Sequence, residues 1–215
     1  MPKIKVILFD LDGTLRDSGE MIWQSIEHAL KQNGVSATRE QIRPHIHHHE
    51  KVYEGLASHT SKEDFLKAYW EKVEELRPQM TVYEAGPKVV TQLHESGYRL
   101  GIVTTAHTAP QTLKKAKIDH LFDVIVGRED TKEHKPHPEP VLLAIKKLGC
   151  LPEEAVMVGD LSADIIASKA AGLASAIGIT HGMGTLEDLR AAGADYIINR
   201  LEELPELLEI IQHGS

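Results

Sequence analysis

Lys5-Val6-Ile7-Leu8-Phe9-Asp10-Leu11-Asp12-Gly13-Thr14 is the stretch on which the reading of this chain turns. Four consecutive apolar residues lead into two aspartates, two residues apart, and a Gly-Thr turn. Such a run describes a buried strand that ends in concentrated negative charge. In an open parallel sheet the carboxyl ends of the strands form the edge where ligands sit. Unpartnered carboxylates gathered there repel each other, so the stretch implies a metal cation, a phosphate-handling reaction, or both. The plainer alternative is a turn in which Asp and Gly serve geometry alone.

Further apolar runs extend outward from it: Ile4 to Phe9, Arg99 to Thr104, Asp123 to Gly127, Ala155 to Gly159, Ala174 to Gly178 and Asp195 to Ile198. They are continuous rather than alternating, the pattern of parallel strands covered on both faces. Helical patterns lie between them. Val89, Val90 and Leu93 precede Gly97; Val141, Leu142, Ile145 and Leu148 precede Gly149; Leu186 and Leu189 precede Gly193; Leu201, Leu204, Leu207, Leu208 and Ile211 close the chain. The alternation predicts an α/β fold with a doubly wound, Rossmann-like parallel sheet.

The segment between the first strand and the helix near Glu84 is too long for a simple crossover, so it reads as an insertion. Residues 1–15 and 81–215 are then the core and 16–80 a helical unit. Within the insertion Ile22, Trp23, Ile26, Ala29 and Leu30 form a 3.6-residue stripe between Ser18, a candidate N-cap, and Gly34. Lys62 to Leu76 repeats the pattern through Phe65, Tyr69, Trp70, Val73 and Leu76.

Hydrophobic content of 41% and charged content of 26% are those of a soluble globular protein. No stretch is apolar enough to span a membrane and no signal-peptide pattern opens the chain, so a cytoplasmic location is expected. Cys150 is the single cysteine and cannot form an intrachain disulfide; it reads as a packing residue. A formal charge of −8 without a basic block argues against a nucleic-acid partner. The sequence sets no oligomeric state.

Three segments follow the later strands: Thr104-Thr105, Lys135-Pro136, and Gly159-Asp160-Leu-Ser-Ala-Asp164. With Asp10-x-Asp12-Gly13-Thr14 they stand in an order that resembles the haloacid dehalogenase-like hydrolases, most closely the phosphoglycolate phosphatase-like enzymes with a helical cap. The resemblance covers nearly the whole chain and thins over about residues 40 to 80. It implies a Mg²⁺-dependent phosphatase of small phosphorylated metabolites that works through an aspartyl-phosphate. Phosphoglycolate is the leading substrate it suggests.

The resemblance also assigns roles. Asp10 would be the nucleophile, Asp12 the acid for the leaving group and then the base for water, and Lys135 a positive charge beside the nucleophile. Mg²⁺ would be held by the Asp10 and Asp160 carboxylates and the Asp12 backbone carbonyl. Thr104 and Thr105 would contact phosphate, Thr14 would hold Asp12 by a hydrogen bond, and Asp164 would support the site from outside the ligand set. The inserted unit would be a cap that closes over the site.

The chain departs from the family pattern at several places. Thr105 stands where relatives often carry Asn. Arg16 stands where an apolar residue is more usual, either facing an anionic substrate or as a solvated hinge residue. Asp17 fits the hinge and is more than a helix cap on that reading. His45, His47, His48 and His49 are read chiefly as a solvated or partly packed segment, with substrate recognition and a metal site as lesser alternatives. His107, His134 and His137 flank the motifs and read as structural. Alternatives to the main reading are a phosphomutase or other phosphotransferase, a pyrophosphatase, and a catalytically silent phosphate binder; the last is disfavoured because Asp10, Asp12, Lys135 and Asp160 are all present.

Overall fold

The structure, a computed structural model, describes residues 3–46 and 49–213. The chain divides into two compact units, one formed by residues 1–17 and 81–215 and the other by Ser18–Met80.

In chain order the strands are β1 (Val6–Phe9), β2 (Arg16–Asp17), β3 (Thr81–Val82), β4 (Arg99–Val103), β5 (Val124–Val126), β6 (Ala155–Gly159), β7 (Ser175–Ile179) and β8 (Tyr196–Ile198). The α-helices are α1 (Gly19–Gln32), α2 (Arg39–Ile42), α3 (His49–Val52), α4 (Lys62–Leu76), α5 (Gly86–Glu95), α6 (Ala109–Lys115), α7 (Glu139–Leu148), α8 (Ser162–Ala170), α9 (Leu186–Ala191) and α10 (Leu204–His213). All six apolar runs of the sequence are strands.

Those six form one parallel sheet in the order β5-β4-β1-β6-β7-β8. The chain winds outward from β1 through β4 to β5, then returns to the other side of β1 for β6, β7 and β8. This is the doubly wound order, with its switch point between β1 and β6. Successive side chains of a strand point to opposite faces, and both faces here are buried. Ile7 and Phe9 pack with Val89, Val90 and Leu93 of α5 and with Leu204 and Leu208 of α10. Val6 and Leu8 pack with Val141, Ile145 and Leu148 of α7 on the opposite face. Covering on both sides is why the strands are apolar throughout.

Register is what builds the site. Phe9 stands opposite Ile102 of β4 and Val158 of β6. The residues just past the three strands, Asp10, Thr104 and Asp160, therefore leave the sheet at one edge.

The Ser18–Met80 unit is helical. Ile26, Ala29 and Leu30 of α1 are buried, as are Phe65, Tyr69, Val73 and Leu76 of α4, and the two helices pack together. Trp70 departs from its expected stripe: it is 44% exposed, because it lies one residue past Tyr69 and is rotated about 100° from the buried face. Ser61 caps α4 by accepting the Asp64 amide at 3.2 Å. Ser18 does not cap α1 through its side chain; its hydroxyl is buried with no hydrogen-bond partner. Arg16 and Asp17, assigned from sequence to the insertion, instead form with β3 a separate two-stranded antiparallel sheet within the unit of residues 1–17 and 81–215.

Candidate active site

The loop after β1 turns tightly. The amides of Leu15 and Arg16 both donate to the Leu11 carbonyl, at 3.0 and 2.7 Å, and the Gly13 amide donates to the Arg16 carbonyl at 2.8 Å. Gly13 has φ +82°, and a Cβ there would stand 2.1 Å from Asp160 Oδ2. Only glycine meets both demands, so Gly13 permits the loop after β1 to close against Asp160.

Asp10 is 7% exposed. Lys135 Nζ donates to Asp10 Oδ1 at 2.5 Å, to Asp164 Oδ1 at 2.6 Å and to the Val103 carbonyl at 2.9 Å. An ammonium has three protons, and all three are used. Any further acceptor arriving beside Lys135 must share or displace one of these partners.

The carboxylates of Asp10, Asp160 and Asp164 bring one oxygen each within 4.8 Å of one another. Burial pushes the Asp10 carboxyl up to about 7, with repulsion from Asp164 and Asp12 adding to it against the pull of Lys135. Asp160 is raised well above the usual range by burial and then by Asp10 and Asp164. Burial disfavours the Lys135 ammonium, but Asp10 and Asp164 outweigh it and hold its pKa above that of an ordinary lysine. Three buried carboxylates beside one lysine leave an excess of negative charge. A hard divalent cation fits that donor set, since its ligands are carboxylate oxygens and its charge removes the repulsion.

Within the trio Asp164 is already committed to the protein. Its Oδ1 takes Lys135 and its Oδ2 takes the Leu161 amide at 3.0 Å, the latter closing the first turn of α8. Asp160 is gripped by the segment after β7: the Met183 amide donates to Oδ2 at 2.8 Å, and a Cβ on Gly182 would lie 2.3 Å from the same oxygen.

Several expected contacts fall out differently. Thr14 does not hold Asp12; its hydroxyl donates to Asp160 Oδ1 at 3.4 Å, because the turn directs it toward β6. Asp12 is held by Arg16, which is 3% exposed and neither solvated nor open to substrate. Thr104 is buried, and its hydroxyl accepts the Ala106 amide at 3.1 Å, which leaves its own proton free to donate. Thr105 is exposed. Thr104, Thr105, His134 and Lys135 line one small cleft with Thr131, whose buried hydroxyl has no hydrogen-bond partner.

His107 pairs with Glu129 at 3.4 Å, and His137 accepts the Glu139 amide at 3.2 Å. The His45 ring lies over Gly55, and His49 stacks on Tyr69 with ring centres 4.7 Å apart. His47 and His48 lie outside the described residues. Among the described residues the only cluster of metal-ligating side chains is the Asp10, Asp160 and Asp164 trio.

Residues that motif reading passed over also build the site. His181 Nε2 lies 3.0 Å from the Thr14 carbonyl, so that nitrogen carries the proton and donates. Burial holds His181 below the usual histidine range, which keeps it neutral. Its ring stacks on Tyr83 at 4.0 Å, and the Tyr83 hydroxyl donates to the His181 carbonyl at 3.3 Å. The sequence signal that could have drawn attention here is Gly182-Met183-Gly184, two glycines where a backbone approaches another group closely.

The family model of the haloacid dehalogenase-like hydrolases matches residues 7–177. The chain belongs to the haloacid dehalogenase-like hydrolases. Among its relatives is pyrophosphatase PpaX of Bacillus velezensis, 36% identical over 94% of this chain and 95% of that protein. PpaX of Halalkalibacterium halodurans is 35% identical over 97% of each. In three dimensions the chain is similar to a haloacid dehalogenase-like family hydrolase from Streptococcus pneumoniae, with a TM-score of 0.80, 29% identity, and coverage of 96% of this chain and 99% of that one. The matches span both units. No helix among the described residues is long and apolar enough to cross a membrane.

Proposed function

We propose that this hydrolase cleaves a small phosphorylated substrate through an aspartyl-phosphate on Asp10, with pyrophosphate as the leading substrate. The observation that carries the choice is likeness to pyrophosphatases over nearly the full length of both proteins. Phosphoglycolate, the substrate favoured by motif pattern, becomes the second reading.

On this reading a carboxylate oxygen of Asp10 attacks phosphorus while the bond from phosphorus to the leaving oxygen breaks. Asp12 gives that oxygen a proton. Water then attacks the phosphorus of the aspartyl-phosphate, delivers its proton to Asp12, and restores the Asp10 carboxylate. Lys135 holds Asp10 in line and spreads positive charge over the transferring group. Thr104 and Thr105 border the phosphate, and the free hydroxyl of Thr131 is a further donor on the same cleft.

Mg²⁺ would sit on the Asp10 and Asp160 carboxylates and the Asp12 carbonyl, where it would supply the charge that the transferring phosphoryl group lacks. Thr14 and the Met183 amide would fix Asp160 for it, and Asp164 would position Lys135. The helical unit is assigned the part of cap and substrate selector.

Phosphate release by the purified protein decides among substrates. Pyrophosphate with Mg²⁺ is expected to give at least tenfold higher kcat/KM than phosphoglycolate or sugar phosphates. A preference for phosphoglycolate would establish the second reading. An isomerised phosphate product would indicate a mutase, and binding without turnover a silent receptor.

A further inference from the structure

Arg16 is a cation enclosed in the sheet unit four residues beyond Asp12. Its Nε donates to Asp12 Oδ1 at 2.7 Å and its Nη2 to Asp12 Oδ2 at 2.6 Å, a two-pronged pair. Nη1 donates to the hydroxyls of Thr108 and Thr112, both at 2.8 Å. Four of the five guanidinium protons are thus engaged. Thr108 directly precedes α6 and Thr112 lies within it, so the fork is pinned to a helix that carries none of the motif residues.

Stability alone does not account for this arrangement. The Arg16 side chain is 3% exposed and that of Asp12 31%, so taking the guanidinium out of water offsets much of what the pair gains. What a planar fork anchored at its rear does provide is direction, since it allows its carboxylate one orientation.

We propose that Arg16 is a positioning residue for departure of the leaving group: braced by Thr108 and Thr112, it sets the orientation from which Asp12 reaches the leaving oxygen. The inference rests on the reading of Asp12 as the proton donor. It requires that loss of Arg16 hurt most where the leaving oxygen most needs a proton.

The test compares phenyl phosphate with 4-nitrophenyl phosphate, whose leaving group departs readily without protonation. Arg16→Gln should lower kcat on phenyl phosphate at least thirtyfold and on 4-nitrophenyl phosphate about threefold, with KM changed less than twofold. Arg16→Lys keeps the charge without the fork and should stay within threefold of Arg16→Gln. In Asp12→Asn the further change Arg16→Gln should cost less than twofold, because the group it directs is already gone.

The double variant Thr108→Val, Thr112→Val removes only the braces. It should fall between wild type and Arg16→Gln with the same leaving-group ordering, and it decides the matter if Arg16→Gln does not fold. Equal losses on both substrates, a loss confined to KM, or losses that multiply in the Asp12 double variant would overturn the proposal. An Asp12→Asn enzyme with undiminished phenyl phosphate turnover would instead remove the reading of Asp12 beneath it. A leaving-group-sensitive Asp12→Asn beside a leaving-group-blind Arg16→Gln overturns the Arg16 proposal alone.

Discussion

Asp164 and Lys135 form a buried ion pair at 2.6 Å in which each oxygen of the carboxylate and each proton of the ammonium has a protein partner. The second oxygen of Asp164 holds the Leu161 amide, and the other two protons of Lys135 go to Asp10 and the Val103 carbonyl. Asp164 therefore fixes where the lysine stands relative to Asp10. Asp164→Asn keeps the shape and removes the charge. It should lower kcat by about 10- to 100-fold, the order of one positioned electrostatic contact, while KM moves less. A steady-state comparison checks this, and wild-type kcat in the variant would remove Asp164 from its supporting role.

Asp10→Asn should abolish phosphate release while circular dichroism and unfolding stay cooperative, because the amide is nearly isosteric but cannot form the acyl-phosphate. More than a few per cent residual turnover, after mass spectrometry excludes deamidation, would take Asp10 out of the nucleophile's place.

The crowding of carboxylates gives a pH signature in the metal-free protein. Asp10 is raised to about 7 in the native state, against about 3.9 in an unfolded chain. Between those values the native state holds the extra proton, so stability falls as pH rises through the window. Asp160 acts in the same direction. Lys135, raised above the usual lysine range, is charged in both states throughout the window and adds no slope. In EDTA the wild-type Tm should therefore fall relative to Asp10→Asn between pH 5 and 8, with the variant higher by roughly 5 °C at the upper end. Mg²⁺ should raise the wild-type Tm more at pH 8 than at pH 5. A difference between the two proteins that ignores pH would contradict the repulsion.

Activity should vanish in EDTA, return with Mg²⁺, and fall when Ca²⁺ replaces it, since Ca²⁺ takes more ligands at longer distances than Mg²⁺. Colorimetric phosphate release after chelation and add-back measures this. Full turnover in chelator would exclude the metal.

Gly182→Ala places a methyl group 2.3 Å from Asp160 Oδ2 and 2.5 Å from the Gly13 carbonyl. Neither neighbour is a loose side-chain end, so the segment after β7 must shift. The expected cost is about 1–3 kcal/mol of stability, with metal affinity lowered together with activity. Denaturant unfolding and Mg²⁺ titration of activity measure the two effects, and a variant normal in both would show that this segment does not grip Asp160.

The sequence by itself determined the strands, their doubly wound arrangement and the interruption after β1, and it placed Asp10, Thr104 and Asp160 at strand ends. These follow from periodicity and chain order, which are local: a run such as Val156-Met157-Val158 has to be covered on both faces wherever it is placed. Tertiary structure decided which atoms meet. Thr14 is two residues from Asp12 in sequence yet bonds Asp160; Arg16, which sequence left between solvent and substrate, closes on Asp12 and braces against Thr108 and Thr112. His181 reaches the Thr14 carbonyl from the far half of the chain because β7 ends at the same sheet edge as β1. Side-chain direction depends on turn geometry, and pairing across more than a hundred residues depends on strand register and order. Neither leaves a periodic trace in the sequence, so the donors and acceptors of this site were assigned their partners only when the sheet closed.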